Sequence, residues 1–457
     1  MKNRYCRFDR FYRYCRFYRF DRFSGFIQIL QIFTDSVDLV DMTDFYISGY
    51  YADYIKRNMR MIIKNASVFT EDGRFIKKDI FVDGEYFSDS CQNGGCQNAK
   101  IIDASSCYAI PGLVDIHLHG CDGVDFCDGT IESIEKILAY EAKNGITTVV
   151  PATMTLAEDE LMKIMKAAAE YRREQGRDDG SGYDGEYRRE ATKVGLSYFH
   201  GINMEGPFVS AKKCGAQNMK YLRKPDIDMF NRLYEASEEC IRFCDIAPEE
   251  DTPSMDFIKE VYKKCTISLA HTDCDYDTAK QAFESGACHL THLFNAMAPL
   301  GHRNPGPIAA AAENENVIAE LICDGVHVAA PMIRTAFKLF GRERIALISD
   351  SMMATGLGDG EYELGRQPVS VKGNEARLSD GTIAGSVTNL MGCLKYAVKQ
   401  AAISLEDAVY SATVTPAKAA GYYDIVGSIT SGKYADLVLL DKETLNVRMI
   451  LVRGKPL

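Results

Sequence analysis

Eight short apolar segments, each followed by a stretch of helical character, recur through the middle of the chain, and this alternation leaves few architectures open. The segments are LVDIHLH (113–119), TTVVPAT (147–153), HGINMEG (200–206), CDIAPE (244–249), TISLAHT (266–272), CHLTHLF (288–294), IAELICD (318–324) and RIALISD (344–350). Short apolar runs joined by long crossovers read as parallel strands covered on both faces. Eight such units in about 250 residues predict an α/β fold, a (β/α)8 barrel of the TIM type. Residues 174–190, rich in Gly, Asp and Arg, read as a surface loop.

The flanks follow a different rule. MIIKNASVFTEDGRFIKKDIFVDGEYF, from Met61, reads as short alternating strands with turns at Asp72-Gly73 and Asp83-Gly84. GSITSGKYADLVLLDKETLNVRMILVRGKPL at the far end reads the same way. The expected division is an extension over 1–58, a small β-sandwich domain built from both chain ends (59–110 and 421–457), and a barrel over 111–420. Within the extension, RYCRF and RFDRF each occur twice, and residues 1–23 carry a charge of +6. So short a repeat builds no core, and disorder is the expectation. The alternatives are a nucleic-acid or membrane arm, or a true start near Met59 or Met61.

The net charge is −11, which argues against general nucleic-acid binding and requires a local basic group wherever an anion is to be held. No apolar run approaches the ~20 residues of a membrane helix. The 15 cysteines include no C-x-x-C pair and read as reduced thiols of a cytoplasmic protein.

The strand ends carry the chemistry. Five of the eight histidines lie there: His117, His119, His271, His292 and, just past its strand, His327. Barrel active sites occupy that face. His117 and His119, two apart on a strand, point to one side and can share an ion, although H-x-H alone also fits two structural histidines. Glu205 ends an apolar strand and is stopped by Gly206-Pro207; a buried carboxylate needs a partner, and a metal suits it. With His271 and His292 it makes a His2Glu set, the ligand number of a catalytic divalent site. Asp350 ends the eighth strand, where it can take a proton from a bound water and return it to a leaving amine. Arg303, on the loop after the sixth strand, suits a phosphate.

PGLVDIHLHG, MEGPF, LAHT, THLFNAM with its downstream G-x-R-x-P-G, CDGVHV and the ISDSM strand end together resemble the N-acetylglucosamine-6-phosphate deacetylase family of the amidohydrolase superfamily, from about Met61 to the C-terminus. The resemblance implies hydrolysis of N-acetyl-D-glucosamine 6-phosphate to acetate and D-glucosamine 6-phosphate by a metal-activated water, with Asp350 as general acid/base. It implies one or two divalent ions (Zn, Fe, Mn or Co), held by Glu205, His271 and His292 and, where a second is bound, by His117 and His119. His327 would polarise the acetyl carbonyl. Ala216, Asn295, Ala296, Arg303, Ile383, Ala384 and Gly385 would line the substrate pocket. A homodimer acting on a phosphorylated amino sugar, with no nucleic-acid or membrane partner, completes the expectation. Two positions depart from the family pattern: Gln217 stands where some members bind substrate through His, and Asn203 replaces a His found two residues before the metal Glu. The rival readings are the N-acetylgalactosamine 6-phosphate enzyme, a cyclic-amide hydrolase (disfavoured because no Lys ends a strand), and an inactive relative, disfavoured because every ligand is kept.

Overall fold

The computed structural model describes residues 60–90, 99–175 and 195–457; the Arg-aromatic repeats of the N-terminal extension lie outside them. Eight parallel strand units occur in the expected order: Leu113–Asp115, Ile146–Val149, a third in two pieces (Tyr198–Phe199 and Ile202–Met204), Ile241–Ile246, Thr266–Leu269, His289–Leu290, Ile318–Ile322 and Ile345–Ile348. Each pairs in parallel with its neighbours in sequence, a bridge from Ala152 to Asn203 joining the second to the third. The eighth returns to the first where the Asp350 N–H donates to the His117 carbonyl at 2.9 Å and the His119 N–H to that of Ser351 at 2.7 Å.

Helices cover this ring by burying one stripe each. Ile131–Lys143 is capped by Thr130, whose hydroxyl accepts from the Ser133 N–H, and its buried Ile134, Ile137 and Leu138 recur at helical spacing. Leu405–Ala419 is buried without interruption from Ala408 to Ala417 and packs on the first and eighth strands.

Strands from both chain ends form one sheet. Arg60–Phe69 pairs antiparallel with Phe75–Asp83 and, along its other edge, parallel with Lys100–Asp103 and then Cys107–Pro111. Cys107–Pro111 pairs antiparallel with Leu437–Asp441, which continues to Val447–Val452 and Lys455–Pro456. The alternation seen in sequence buries Met61, Ile63, Val68, Leu437, Leu439 and Leu451 in a separate small core. Both anticipated turns form, with Gly73 and Gly84 at positive φ (73° and 63°).

Three details differ from the sequence reading. The strands are shorter: the fifth ends at Leu269 and the sixth at Leu290, before the histidines assigned to them. Residues 174 and 175 belong to the helix Glu158–Gln175 rather than a loop, because the buried Gln175 amide bonds both backbone groups of Phe199; residues 176–190 lie outside the described residues. A three-stranded antiparallel sheet (Gly360–Leu364, Gln367–Lys372 and Glu375–Arg377) is inserted after the eighth strand within the span expected to be barrel alone.

Candidate metal centre and active site

The residues that matter sit one to five positions past the ends of their strands. There the backbone turns left-handed: φ is 45° at His271, 30° at His292 and 50° at Asp350. Such a conformation at a residue other than glycine costs about 1–3 kcal/mol and persists where the surroundings enforce it, as at functional sites. Gly206, φ 82°, follows Glu205 and lies so close to Thr155 that a Cβ there would meet its Oγ1 at 2.1 Å. Only glycine therefore lets the chain turn away directly after the carboxylate.

Two buried groups of potential ligands result. In one, Glu205 Oε1 lies 2.9 Å from His271 Nε2 and 3.2 Å from His292 Nε2, and the two ring nitrogens are 3.1 Å apart. In the other, Asp350 Oδ1 lies 3.2 Å from His119 Nε2 and 3.9 Å from His117 Nε2. Glu205 joins them, with Oε1 3.7 Å from His117 Nε2 and Oε2 3.4 Å from His119 Nε2.

The tautomers follow from the outer ring nitrogens. His271 Nδ1 is 3.0 Å from the Lys213 carbonyl and His292 Nδ1 is 3.2 Å from that of Asn295. A carbonyl only accepts, so each Nδ1 carries hydrogen, and each ring in its neutral form turns an Nε2 lone pair inward. Two lone pairs and a carboxylate oxygen so close together repel unless a cation or protons lie among them. The same holds for His117, whose Nδ1 donates to Glu320 Oε2 at 2.9 Å while its buried Nε2 has no hydrogen-bond partner among the described residues. The donor chemistry of both groups therefore fits a divalent cation.

The charges agree. Burial would raise the Glu205 carboxyl, but the surrounding imidazoles hold it well below the usual range. Asp350 is likewise lowered against its burial by His119 and His117. Burial would lower His117 and His119, yet Glu320 and Glu205 raise His117 well above 6.5, and Asp350 and Glu205 raise His119.

His327 is oriented by Asp324. Oδ1 of Asp324 accepts the backbone N–H groups of Val326 and His327 at 2.9 Å, and Oδ2 accepts His327 Nδ1–H at 2.7 Å. Burial works against charge on His327, but Asp324 overrides it and raises the pKa. Gly385 is so close to the Asp350 carbonyl that a Cβ would approach it to 3.1 Å. Its neighbours are fixed by Ala384 N–H to the Ala376 carbonyl and Ser386 N–H to that of Asp350. These contacts set the 383–385 segment beside Asp350. Gly215, just before Ala216, approaches both His271 and Ala296, and the Asn295 amide donates to the carbonyls of His292 and Leu293. Arg303 stands apart: it is exposed and makes no hydrogen bond or ion pair with the described residues.

The two departures have visible roles. Gln217 is buried, its Oε1 accepting from the Thr155 N–H at 2.6 Å. Asn203 is buried and donates to the Ile116 carbonyl at 3.2 Å, bracing the first strand beside His117. The sequence reading missed Glu320 and Asp324. An acid inside the apolar run IAELICD was the available signal for Glu320. The Lys213 carbonyl left no such signal, since every residue has one.

A parallel barrel with buried histidines and carboxylates at its C-terminal rim has the plan of a metal-dependent hydrolase. The amidohydrolase family pattern matches residues 108–457, and the chain belongs to that family. Its relatives point more narrowly. N-acetylglucosamine-6-phosphate deacetylase of Bacillus subtilis (strain 168) is 32% identical over 399 residues, 86% of this chain and 96% of its own length. N-acetylgalactosamine-6-phosphate deacetylase of Escherichia coli O157:H7 is 28% identical, over 76% of this chain and 86% of that protein. A point mutant of the N-acetyl-D-glucosamine-6-phosphate deacetylase of Mycobacterium smegmatis, solved in complex with N-acetyl-D-glucosamine-6-phosphate, superposes with a TM-score of 0.76 at 30% identity, covering 87% of this chain and 99% of that one.

Proposed function

We propose that this protein hydrolyses N-acetyl-D-glucosamine 6-phosphate to D-glucosamine 6-phosphate and acetate in amino-sugar catabolism. The observation that carries the reading is Asp350, set 3.2 Å from His119 beside a Glu205 that reaches both ligand groups. Glu205, His271 and His292 would hold the principal cation, and His117 and His119 with Asp350 a second; zinc, iron, manganese and cobalt all suit such donors. A divalent ion bound there supplies Lewis acidity and lowers the pKa of a coordinated water to about 7. Asp350, held ionised, takes the proton of the attacking water and hands it to the departing nitrogen. His327, whose Nδ1 donates to Asp324 and whose pKa that carboxylate raises against burial, would in its protonated form present an Nε2–H to the acetyl oxygen as charge develops. The loops bearing Ala216, Asn295, Ala296, Arg303 and the 383–385 segment would hold the sugar and phosphate, Arg303 supplying the cation that an acidic protein needs.

We extend the reading to a cytoplasmic homodimer, divided as the sequence suggests, with the terminal sheet serving as a small sandwich. Among the described residues no helix is long and apolar enough to cross a membrane, and the described cysteines are free thiols.

The test is acetate release from the 6-phosphorylated sugar by the parent protein and by Asp350→Asn. Release by the parent and its loss in a folded variant support the reading; full activity in the variant removes Asp350 from the reaction. The galactosamine relative recommends running the epimeric substrate beside it, and a higher kcat/KM for the epimer would reassign the substrate.

A further inference from the structure

Glu320 belongs to neither ligand group, yet it touches both. It lies within the seventh strand, Ile318–Ile322, fully buried between the first and sixth units. One of its oxygens, Oε2, accepts two hydrogen bonds: from His117 Nδ1 at 2.9 Å and from the backbone N–H of His292 at 3.1 Å. These donors come from different groups, His117 from that containing Asp350 and His292 from that containing Glu205. The other oxygen, Oε1, has no hydrogen-bond partner among the described residues and lies 3.9 Å from His289 Nδ1. A buried carboxylate is costly unless hydrogen-bonded, and the donors that hold this one come from both ligand groups.

The use follows from the geometry. His271 and His292 are oriented through their Nδ1 atoms by backbone carbonyls, which form part of the fold. Among the described residues, His117 Nδ1 has only the Glu320 side chain. Without that acceptor the ring could rotate or adopt the other tautomer and turn an N–H inward in place of its lone pair. The bond to the His292 N–H also pins the left-handed turn, φ 30°, that carries His292 to Glu205.

We infer that Glu320 is a positioning residue that makes the His117/His119/Asp350 group competent to bind a divalent cation and locks its spacing to the Glu205/His271/His292 group. The inference rests on reading both groups as cation ligands and is independent of which sugar is hydrolysed. Removing an outer carboxylate of this kind typically weakens metal binding about 10–100-fold.

The experiment is a titration of metal-free full-length parent, Glu320→Gln and Glu320→Leu with Mn2+ and with Zn2+, reading stoichiometry and affinity. The melting temperature of each metal-free protein is recorded alongside. The parent is expected to take two equivalents. Glu320→Leu is expected to lose the second altogether. Glu320→Gln, which keeps an acceptor oxygen but not the charge, should bind the second at least tenfold more weakly and recover part of the lost kcat at high Mn2+ with KM unchanged. Should Glu320→Leu not fold, Glu320→Gln decides alone. Second-ion affinity within threefold of the parent in the folded variants overturns the role of Glu320 while leaving the metal centre standing. A parent that binds no ion, or only one, overturns the inference together with the two-site reading beneath it.

Discussion

The two ligand groups share Glu205 but are built on different principles. Around His271 and His292 the donors crowd to 2.9–3.2 Å, and both rings are steered by main-chain carbonyls. Around His117 and His119 the separations from Asp350 open to 3.9 and 3.2 Å, and the orientation of His117 depends on one side chain. A ligand steered by backbone cannot be lost by a single substitution elsewhere, whereas one steered by Glu320 can. On the proposed reading the first group would be the fixed ion site and the second the adjustable one, with Asp350 placed to move a proton.

The largest break in that contrast should come from His271→Ala, which removes a ligand of the tight group. Stoichiometric metal analysis should show the principal ion lost, and with it nearly all acetate release. Next is Asp350→Asn: kcat is expected to fall about 10²–10⁴-fold, the range for losing a general acid/base, while the principal ion stays bound. His119→Asn should act more mildly still, removing only the second equivalent. If it removed both, the two groups would be a single site.

The smallest effect is on stability, and its sign differs between the metal-free and loaded protein. His117 and His119 have pKa values raised on folding, so their contribution is whole below about pH 6.5 and fades as pH rises through the raised values. Glu205 and Asp350 are lowered, so theirs is present above about pH 4.5 and lost as pH falls through their folded values. The metal-free protein should therefore melt at its highest temperature near pH 5–6.5 and decline toward pH 8, as far as this cluster governs it. The loaded protein should trend the other way, because the cation displaces those protons and binds more tightly as they leave. Calorimetry of both forms across this range checks the crossing. A shared slope would mean that cation and protons do not compete.

The contrast also explains what the sequence disclosed. Glu205, His271, His292, His117, His119 and Asp350 were legible because each closes an apolar run, where a polar side chain has little structural reason to be. The order of the barrel strands was legible for the same reason, since each strand is buried on both faces. Strand ends were less so. Hydrogen bonding stops at Leu269 and Leu290, and what carries His271 and His292 onward is a left-handed turn for which their residue type gives no signal. The insertion at 360–377 went unseen because its strands are short and half exposed. Supporting groups were hardest: Glu320 interrupts the apolar run IAELICD and Asp324 closes it, but both act through hydrogen bonds to histidines that only the fold reveals. Arg303 was read from its guanidinium and its loop position, with the family motif added to that, and its exposed position gives it no partner within the described residues.

Acetate released from N-acetyl-D-glucosamine 6-phosphate, measured on protein stripped of metal and then reconstituted with Zn2+ or Mn2+, tests the central claim most directly. The account predicts at least a hundredfold loss on stripping and recovery on reconstitution, with glucosamine 6-phosphate formed in equal amount. Equal rates with and without metal, or no acetate from the reconstituted protein, would contradict it.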